Sequence, residues 1–542
     1  MANKEMFGST RGKSIPLADA INEAGGLAYE MTPKHALAQY AATGCLNGTF
    51  YASAGMQLEA VLALCAELEP EYIAKTAVYA RTKGYMKDMP ALLCAVLSNK
   101  GELGRGYLSL IFPLIIDNGK MLRNFVQIMR SGVVGRKSLG TLPKRLVRDW
   151  LTNRPHDDLF WASVGNDPSL SDIIKMVHPK TLMGNVSPVW AKERSLLYRY
   201  LIGKDVHPAE LPGLAGAYEK YKALVSMDEY ETPAEIPNVP FQMLTALNLG
   251  TEEWTQIARN AGWQMTRMNI NTFLRHGVFE SEEMVKLIAD RLRDPEQVRR
   301  SRCFPYQLLT AYNSVSTETP HDVREALQDA MEVAVENVPA IPGQVHVYVD
   351  VSGSMSCPIT GYRDGSTSAT TCVDVAGLIA AAILRHNPSA LIVPFSNGTE
   401  HCHVNPRDSV MTTAKTLANM CGGGTNCSAP LATSNAQGLN ADLVVYVSDS
   451  ESWIDTERSG MWSCGSSGTK TMKEWEVFKQ RNPHADMVCI DLVPNSTTQA
   501  NETGRGDILN IGGFSDTVFK TLASFAHGDS LHWSEEIESI VL

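Results

Sequence analysis

The chain has 542 residues, enough for about three to four domain-sized units. Apolar residues make up 44% and charged residues 20%, a globular balance that excludes a disordered or collagen-like chain. The 48 Lys and Arg against 59 Asp and Glu leave a formal net charge of −11, which as a total argues against a nucleic-acid binder. The charge is unevenly spread. Residues 1–340 carry 37 basic against 38 acidic residues, and residues 341–542 carry 11 against 21. Within the near-neutral part, residues 120–148 hold eight basic residues and no carboxylate. Phosphate binding needs local positive potential and not a positive total, so nucleic acid stays open.

The first residues, MANKEMFGSTRGKS, lack the charged-then-apolar pattern of a secretory signal. Residues 15 to about 337 are dominated by helix-period segments with short Gly, Pro or Asn breaks. MQLEAVLALCAELE (56–69), PEYIAKTAVYART (70–82) and DMPALLCAVLSN (88–99) follow one another, each with an apolar stripe at spacings of three and four. Consecutive helices of this length resemble an α-solenoid of HEAT type, and an irregular all-helical domain is the alternative. The most apolar run, YLSLIFPLII (107–116), is too short to span a bilayer. The eleven cysteines are scattered, with no C-x-x-C pair, unlike a disulfide framework or a zinc ribbon. A cytoplasmic protein with reduced thiols is expected.

In chain order, SGVVGRKSLGTLPKRLVRDWL (131–151) comes next. On a helix Leu142, Leu146, Val147, Trp150 and Leu151 take one side, and Lys144, Arg145 and Arg148 another, with Arg136 and Lys137 just before. That cationic face could contact phosphates or merely be solvated. NVPAIPG (337–343) then reads as a linker between a helical domain, 1–340, and a second domain, 341–542.

The pattern changes beyond it. QVHVYVD (344–350), ALIVPFS (390–396), DLVVYVSD (442–449) and ADMVCIDLV (485–493) are short, continuously apolar, β-branched runs alternating with helix-like stretches. This predicts an α/β domain with a doubly wound, mostly parallel sheet covered on both faces, whose ligands sit at the C-terminal strand ends. There the sequence places Asp350, Ser352 and Ser354 in D-x-S-x-S, Thr425 in CGGGTNCS, and Asp449 at the tip of the third strand. The set is all oxygen and suits Mg²⁺ or Mn²⁺. It resembles the metal-ion-dependent adhesion site of von Willebrand factor A domains, whose open position accepts a partner's oxygen. The serines could instead only cap the following helix. The D-x-S-x-S loop offers no Lys, Glu or His as a general base, so ligation and not hydrolysis is expected. His401 and His403 lack the partners a zinc site needs. The tripeptide Arg505-Gly506-Asp507 reads as chance.

EAGGLAYEMTPKHALAQYAATGCLNGTFYAS (23–53) and MVHPKT (176–181) resemble the Ro ribonucleoprotein, or TROVE-domain, family. TFLRHGVF (272–279) and SRCFPYQLLTAYNSV (301–315) are weaker echoes, and SDSESW (448–453) is similar to the bacterial branch. The resemblance implies HEAT-like helices closed into a ring and followed by an A domain. It implies a non-catalytic scaffold that binds Y-like small RNA and single-stranded ends of misfolded RNAs in RNA quality control or degradation under stress. It implies as partner an exoribonuclease such as polynucleotide phosphorylase, with the protein itself a monomer away from membranes. Carried over by position, Lys175 and His178 join Arg136, Lys137, Lys144, Arg145 and Arg148 as RNA candidates, with Arg275 and Arg302 in later helices. His178 could equally be a helix-end cap. One departure stands out: where the family has a basic helix end, DDLFWASVGNDPSLSD (157–172) has several carboxylates, which should weaken or relocate the Y RNA contact. The rival readings are a metal-dependent protein-binding module on a helical scaffold and a metal-dependent hydrolase.

Overall fold

A computed structural model describes residues 15–180, 187–226, 235–301, 303, 305–336, 338–362, 370–453, 468–528 and 532–542. The chain divides into two compact units. One joins the chain up to Leu64 with Val335–Ser539, and the other is Cys65–Ala334 with Ile540–Leu542.

The second unit is helical. Pro70–Thr82, Asp88–Leu97, Gly101–Ile115, Gly119–Ser131, Thr141–Asn153, His156–Ala162 and Leu170–Val177 succeed one another. Several of them pack on the next helix and on the next but one, as a stack of helical pairs requires. Local chemistry sets the ends. Asn118 accepts a hydrogen bond from the Met121 N–H at 3.1 Å and starts Gly119–Ser131, and Gly132, at φ 92°, stops it. The inward face of that helix is Met121, Leu122, Phe125, Val126 and Met129, all fully buried. Asp88–Leu97 is buried from Met89 to its end, which fits a helix covered on more than one side. Among the described residues no helix is long and apolar enough to cross a membrane.

The other unit is built on two sheets. Its strands are β1 (Ala20–Ile21), β2 (Leu27–Glu30), β3 (Val345–Asp350), β4 (Leu391–Phe395), β5 (Leu443–Ser448), β6 (Asp486–Asp491), β7 (Thr497–Thr498) and β8 (Ile508–Gly512). Five form a parallel sheet in the order β4-β3-β5-β6-β8. The helix Cys372–His386 packs on β3, β4 and β5, and Asp516–Ala526 on β6 and β8. The register brings Val349 beside Val447, so Asp350 and Ser448 end neighbouring strands on one edge. The four predicted strands are present. The fifth, β8, escaped the pattern because ILNIG is interrupted by Asn510, whose side-chain amide bonds the Ala500 carbonyl at 2.9 Å.

Two expectations change. Residues 20–30, read as part of a helical domain ending at 340, form a hairpin whose β2 pairs antiparallel with β7. Tyr29 lies in the same apolar core as Tyr348, Tyr446 and Trp475, so burial ties this segment to the sheet unit. The predicted linker is also packed down: Val338 and Ile341 are buried, and the Ile341 N–H donates to Asn387 Oδ1 at 2.8 Å. Asn337 lies outside the described residues.

Candidate functional site

Three loops meet at the C-terminal edge of the parallel sheet. The Gly353 N–H donates to the Gly423 carbonyl at 3.0 Å and the Gly422 N–H to the Val351 carbonyl at 2.7 Å. These bonds join the loop of Ser352 and Ser354 to the loop of Thr425. The Ser452 hydroxyl donates to the Thr425 carbonyl at 3.3 Å, which joins the loop after β5. Asp350, Ser352, Ser354, Thr425 and Asp449 are thereby collected, all buried.

The two carboxylates are held, not free. Asp350 Oδ1 accepts the Ser352 N–H at 2.9 Å, and Oδ2 accepts the Ser448 hydroxyl at 2.5 Å. The Ser352 and Ser354 hydroxyls are 3.1 Å apart, and Asp449 Oδ1 accepts the Glu451 N–H at 3.2 Å. Asp350 is 0% and Asp449 2% exposed, and no Lys or Arg pairs with either among the described residues. Burial first, and the Asp449 charge second, push the Asp350 carboxyl up to about 7. Asp449 is raised by burial as well. Two buried carboxylates without a counter-charge are costly, and a hard divalent cation is the chemistry that relieves them. Hydroxyls at alternate positions complete an oxygen set of the kind Mg²⁺ or Mn²⁺ takes.

Serine capping does not account for these serines. Ser352 stands at the N-cap of the short helix Gly353–Ser356 but makes no side-chain bond to it, whereas both aspartates do accept backbone amides, from Ser352 and Glu451, a role that can coexist with holding a cation. The sequence reading missed Ser448, whose only local signal is its place directly before Asp449. It also missed two residues supplied by distant chain. Burial, followed by the Asp449 charge, raises the Tyr51 phenol to about 12. Glu451 is fully buried, and burial first and Asp449 second raise it to about 9. Its Oε2 accepts the Ala24 N–H at 3.1 Å, while Oε1 has no partner among the described residues. Glu23 is exposed on the hairpin, yet partial desolvation first and the Asp449 charge second raise its carboxyl. The hairpin holding Glu23 lies against this loop: Asn22 donates to the Ser452 carbonyl at 2.9 Å, and a Cβ on Gly26 would stand 1.9 Å from that oxygen.

The two decoys resolve. His401 and His403 are exposed and join no three-ligand group among the described residues. Arg505 is buried and bonds Asp507 at 2.7 Å and Glu476, so the tripeptide is part of the packing.

In the helical unit, Thr141–Asn153 buries Val147, Trp150 and Leu151 of the predicted face together with Pro143, whereas Leu142 and Leu146 are only half-buried. Arg145 is exposed and Lys144 half-buried at the surface, with Lys137 exposed before them. Arg136 donates from Nε to Asn99 Oδ1 at 3.2 Å. Arg148 donates from Nε and Nη2 to the Val177 carbonyl at 3.1 and 3.0 Å, which brings the basic helix to the end of Leu170–Val177. There Lys175 and His178 are exposed. His178 occupies the left-handed cap position at φ 49°, and its N–H bonds the Ile174 carbonyl, so the cap reading holds while the ring remains at the surface. Two carboxylates of the acidic stretch cap helices: Asp172 with Ser169 at Leu170–Val177, and Asp157 on the Leu214 N–H at 2.9 Å. Arg275 is exposed on the helix Ile270–Arg275, and Arg302 lies outside the described residues.

The same unit contains a groove of about 820 Å³ that sequence reasoning did not find. Lys120, Arg123 and Arg154 line it together with Trp150, Trp161 and Phe241. The Arg154 guanidinium lies over the Trp150 ring at 4.7 Å, and Arg123 donates to the Ala162 carbonyl at 2.8 Å.

Comparison with known proteins matches residues 344–526 to the Ro60 vWA domain and residues 242–322 to the TROVE domain. The chain thus resembles TROVE-domain proteins that carry a Ro60-type A domain. All five candidate ligands fall inside the A-domain match, whereas of the RNA candidates only Arg275 and Arg302 fall inside the TROVE match. The chain is 24% identical to the RNA-binding protein RO60 of Deinococcus radiodurans, over 94% of this chain and 95% of that protein. It is 25% identical to the RNA-binding protein RO60 of Caenorhabditis elegans over 182 residues, 32% of this chain and 27% of that protein. The crystal structure of the Deinococcus radiodurans Ro (Rsr) protein shares the fold, with a TM-score of 0.59 and 20% identity over 92% of this chain and 100% of that one. The TROVE and A-domain reading of the sequence therefore holds for fold and for family resemblance.

Proposed function

We propose that this protein is a non-catalytic RNA-binding scaffold of the Ro type, acting on small structured RNA and on single-stranded RNA ends in RNA quality control. The observation that carries the reading is the Arg148–Val177 contact. It sets the cations of one helix beside Lys175 and His178 at the end of another, and a local cluster of this kind suits phosphates that lie close together in a folded RNA. Similarity to proteins named RNA-binding over nearly the whole chain supports it. The groove with the exposed Trp161 and with Arg154 supports the second part, because unpaired bases stack on aromatic rings and guanidinium planes beside backbone-tracking cations.

The A domain, in this reading, holds Mg²⁺ or Mn²⁺ through Asp350, Asp449, Ser352, Ser354 and Thr425, directly or through water. Bound there, the ion supplies an open coordination position for an oxygen of a partner, which an exoribonuclease could provide. Asp350 and Asp449, fixed by their hydrogen bonds from Ser352, Ser448 and Glu451, would keep the ion in place.

The test is a binding titration with a small stem-loop RNA and with a single-stranded oligoribonucleotide. The stem-loop affinity should fall steeply with salt and drop about tenfold or more in Lys144→Ala/Arg145→Ala, a loss of phosphate contacts. Trp161→Ala should weaken the single strand alone. RNA incubated with protein and Mg²⁺ should stay intact, and cleavage that disappears in Asp350→Ala would instead identify a metal-dependent nuclease. Metal-dependent capture of protein, with RNA affinity insensitive to these changes, would favour the protein-binding module.

A further inference from the structure

Two of the buried cysteines, Cys357 and Cys372, stand opposite each other beside the metal-site loop. Pro358 and Thr371 form an antiparallel bridge, the Cys372 N–H donates to the Cys357 carbonyl at 2.9 Å, and the Ile359 N–H donates to the Thr370 carbonyl at 3.0 Å. One step back along this ladder, Cys357 faces Cys372. Residues opposed across such a ladder have Cα atoms about 5.5 Å apart, inside the range a disulfide spans without backbone movement. Cys357 follows the short helix Gly353–Ser356 that carries Ser354, and Cys372 is the first residue of the helix Cys372–His386.

Both cysteines are free thiols, each 1% exposed, and the Cys357 thiol donates to the Pro358 carbonyl at 3.5 Å.

We propose that Cys357 and Cys372 are a peroxide-oxidisable dithiol, a modification site whose disulfide pins the Ser354 turn to the start of the helix Cys372–His386. One of the two sulfurs, as its thiolate, attacks one oxygen of hydrogen peroxide, the O–O bond breaks, and after proton uptake water leaves with that cysteine as the sulfenic acid. The other sulfur then attacks it, its proton goes to the departing hydroxide, and a second water leaves. Two thiols are oxidised by two electrons, and one peroxide is reduced to two waters. This site stands independently of any reading of RNA or metal binding.

The test uses the full chain under native conditions. The protein is treated with equimolar hydrogen peroxide, quenched in acid, alkylated, digested and mapped by mass spectrometry. A linked peptide pair joining Cys357 to Cys372, formed ahead of other cysteine oxidation and lost with dithiothreitol, is the expected result. In Cys357→Ser or in Cys372→Ser the reaction should stop at a sulfenic acid on the remaining cysteine, which dimedone traps. Recovery of both cysteines as alkylated thiols while other cysteines oxidise, or their linkage only in urea, would overturn the proposal. The map of the unsubstituted chain decides the pairing even where a variant fails to fold.

Discussion

Arg148 donates two hydrogen bonds to the Val177 carbonyl, at 3.1 and 3.0 Å. Val177 is the last residue of its helix, where a carbonyl has no partner within the helix and the dipole favours a cation. The bond converts one of the predicted phosphate contacts into a clamp between two helices.

Arg148 and its neighbours should therefore separate by experiment. Arg148→Ala removes a charge-assisted bond and should lower stability by about 1–3 kcal/mol. Lys144→Ala/Arg145→Ala, at surface positions, should change stability by less than about 0.5 kcal/mol while weakening RNA. Urea unfolding beside RNA titration checks the split, and equal stability losses in both variants would refute it.

The buried carboxylate pair makes a prediction about cations. Mg²⁺ or Mn²⁺ should raise the thermal midpoint of the parent protein in a concentration-dependent way, by about 2.7 kcal/mol of added stability at a hundredfold excess over Kd. Asp449→Asn should abolish that response. It should also leave the metal-free protein as stable or more stable, since Asp449 raises Asp350 by its charge. Differential scanning fluorimetry with and without chelator reads both effects, and a cation response unchanged in Asp449→Asn would remove the metal assignment.

The N-terminal hairpin depends on one close approach. A Cβ at Gly26 would meet the Ser452 carbonyl oxygen at 1.9 Å, so Gly26→Ala must shift the hairpin or the loop after β5. A loss of about 1–3 kcal/mol is expected, as for overpacking elsewhere. Protection of the Ala24 and Gly26 amides in hydrogen exchange should fall with it, because their acceptors are Glu451 Oε2 and Asn22 Oδ1.

His346, buried on β3 against Tyr348 and Phe478, is lowered by burial to about 4. Between that value and the ordinary 6.5 the unfolded chain binds a proton that the native state refuses. Stability from this group is thus whole above about 6.5 and lost as pH falls towards 4, on the order of 3 kcal/mol. His346→Gln should flatten this part of the pH profile of urea unfolding, and an unchanged slope would exclude His346 as its source.

Much of the metal site was legible in the sequence because its ligands sit at fixed offsets from strand ends. Asp350, Ser352 and Ser354 are two apart in one loop, and Asp449 is the residue after a continuously apolar run. The residues that surround it were not legible. Glu23 and Tyr51 come from about three hundred residues or more away, and only tertiary contacts such as the pairing of β2 with β7 bring them near Asp449. The RNA candidates divide the same way. Periodicity put Lys144, Arg145 and Arg148 on one helix face, but their spacing held no sign that Arg148 faces a carbonyl end.

By itself the sequence determined the two architectures, since apolar period sets helix against strand and β-branched runs between helices require a parallel sheet. It also determined the oxygen donors, which are local. Only the tertiary structure decided that residues 20–30 belong with the sheet, that Cys357 faces Cys372, and which cations are free for a ligand. Those are contacts between segments distant in sequence, set by burial and hydrogen-bond satisfaction, and no local pattern encodes them.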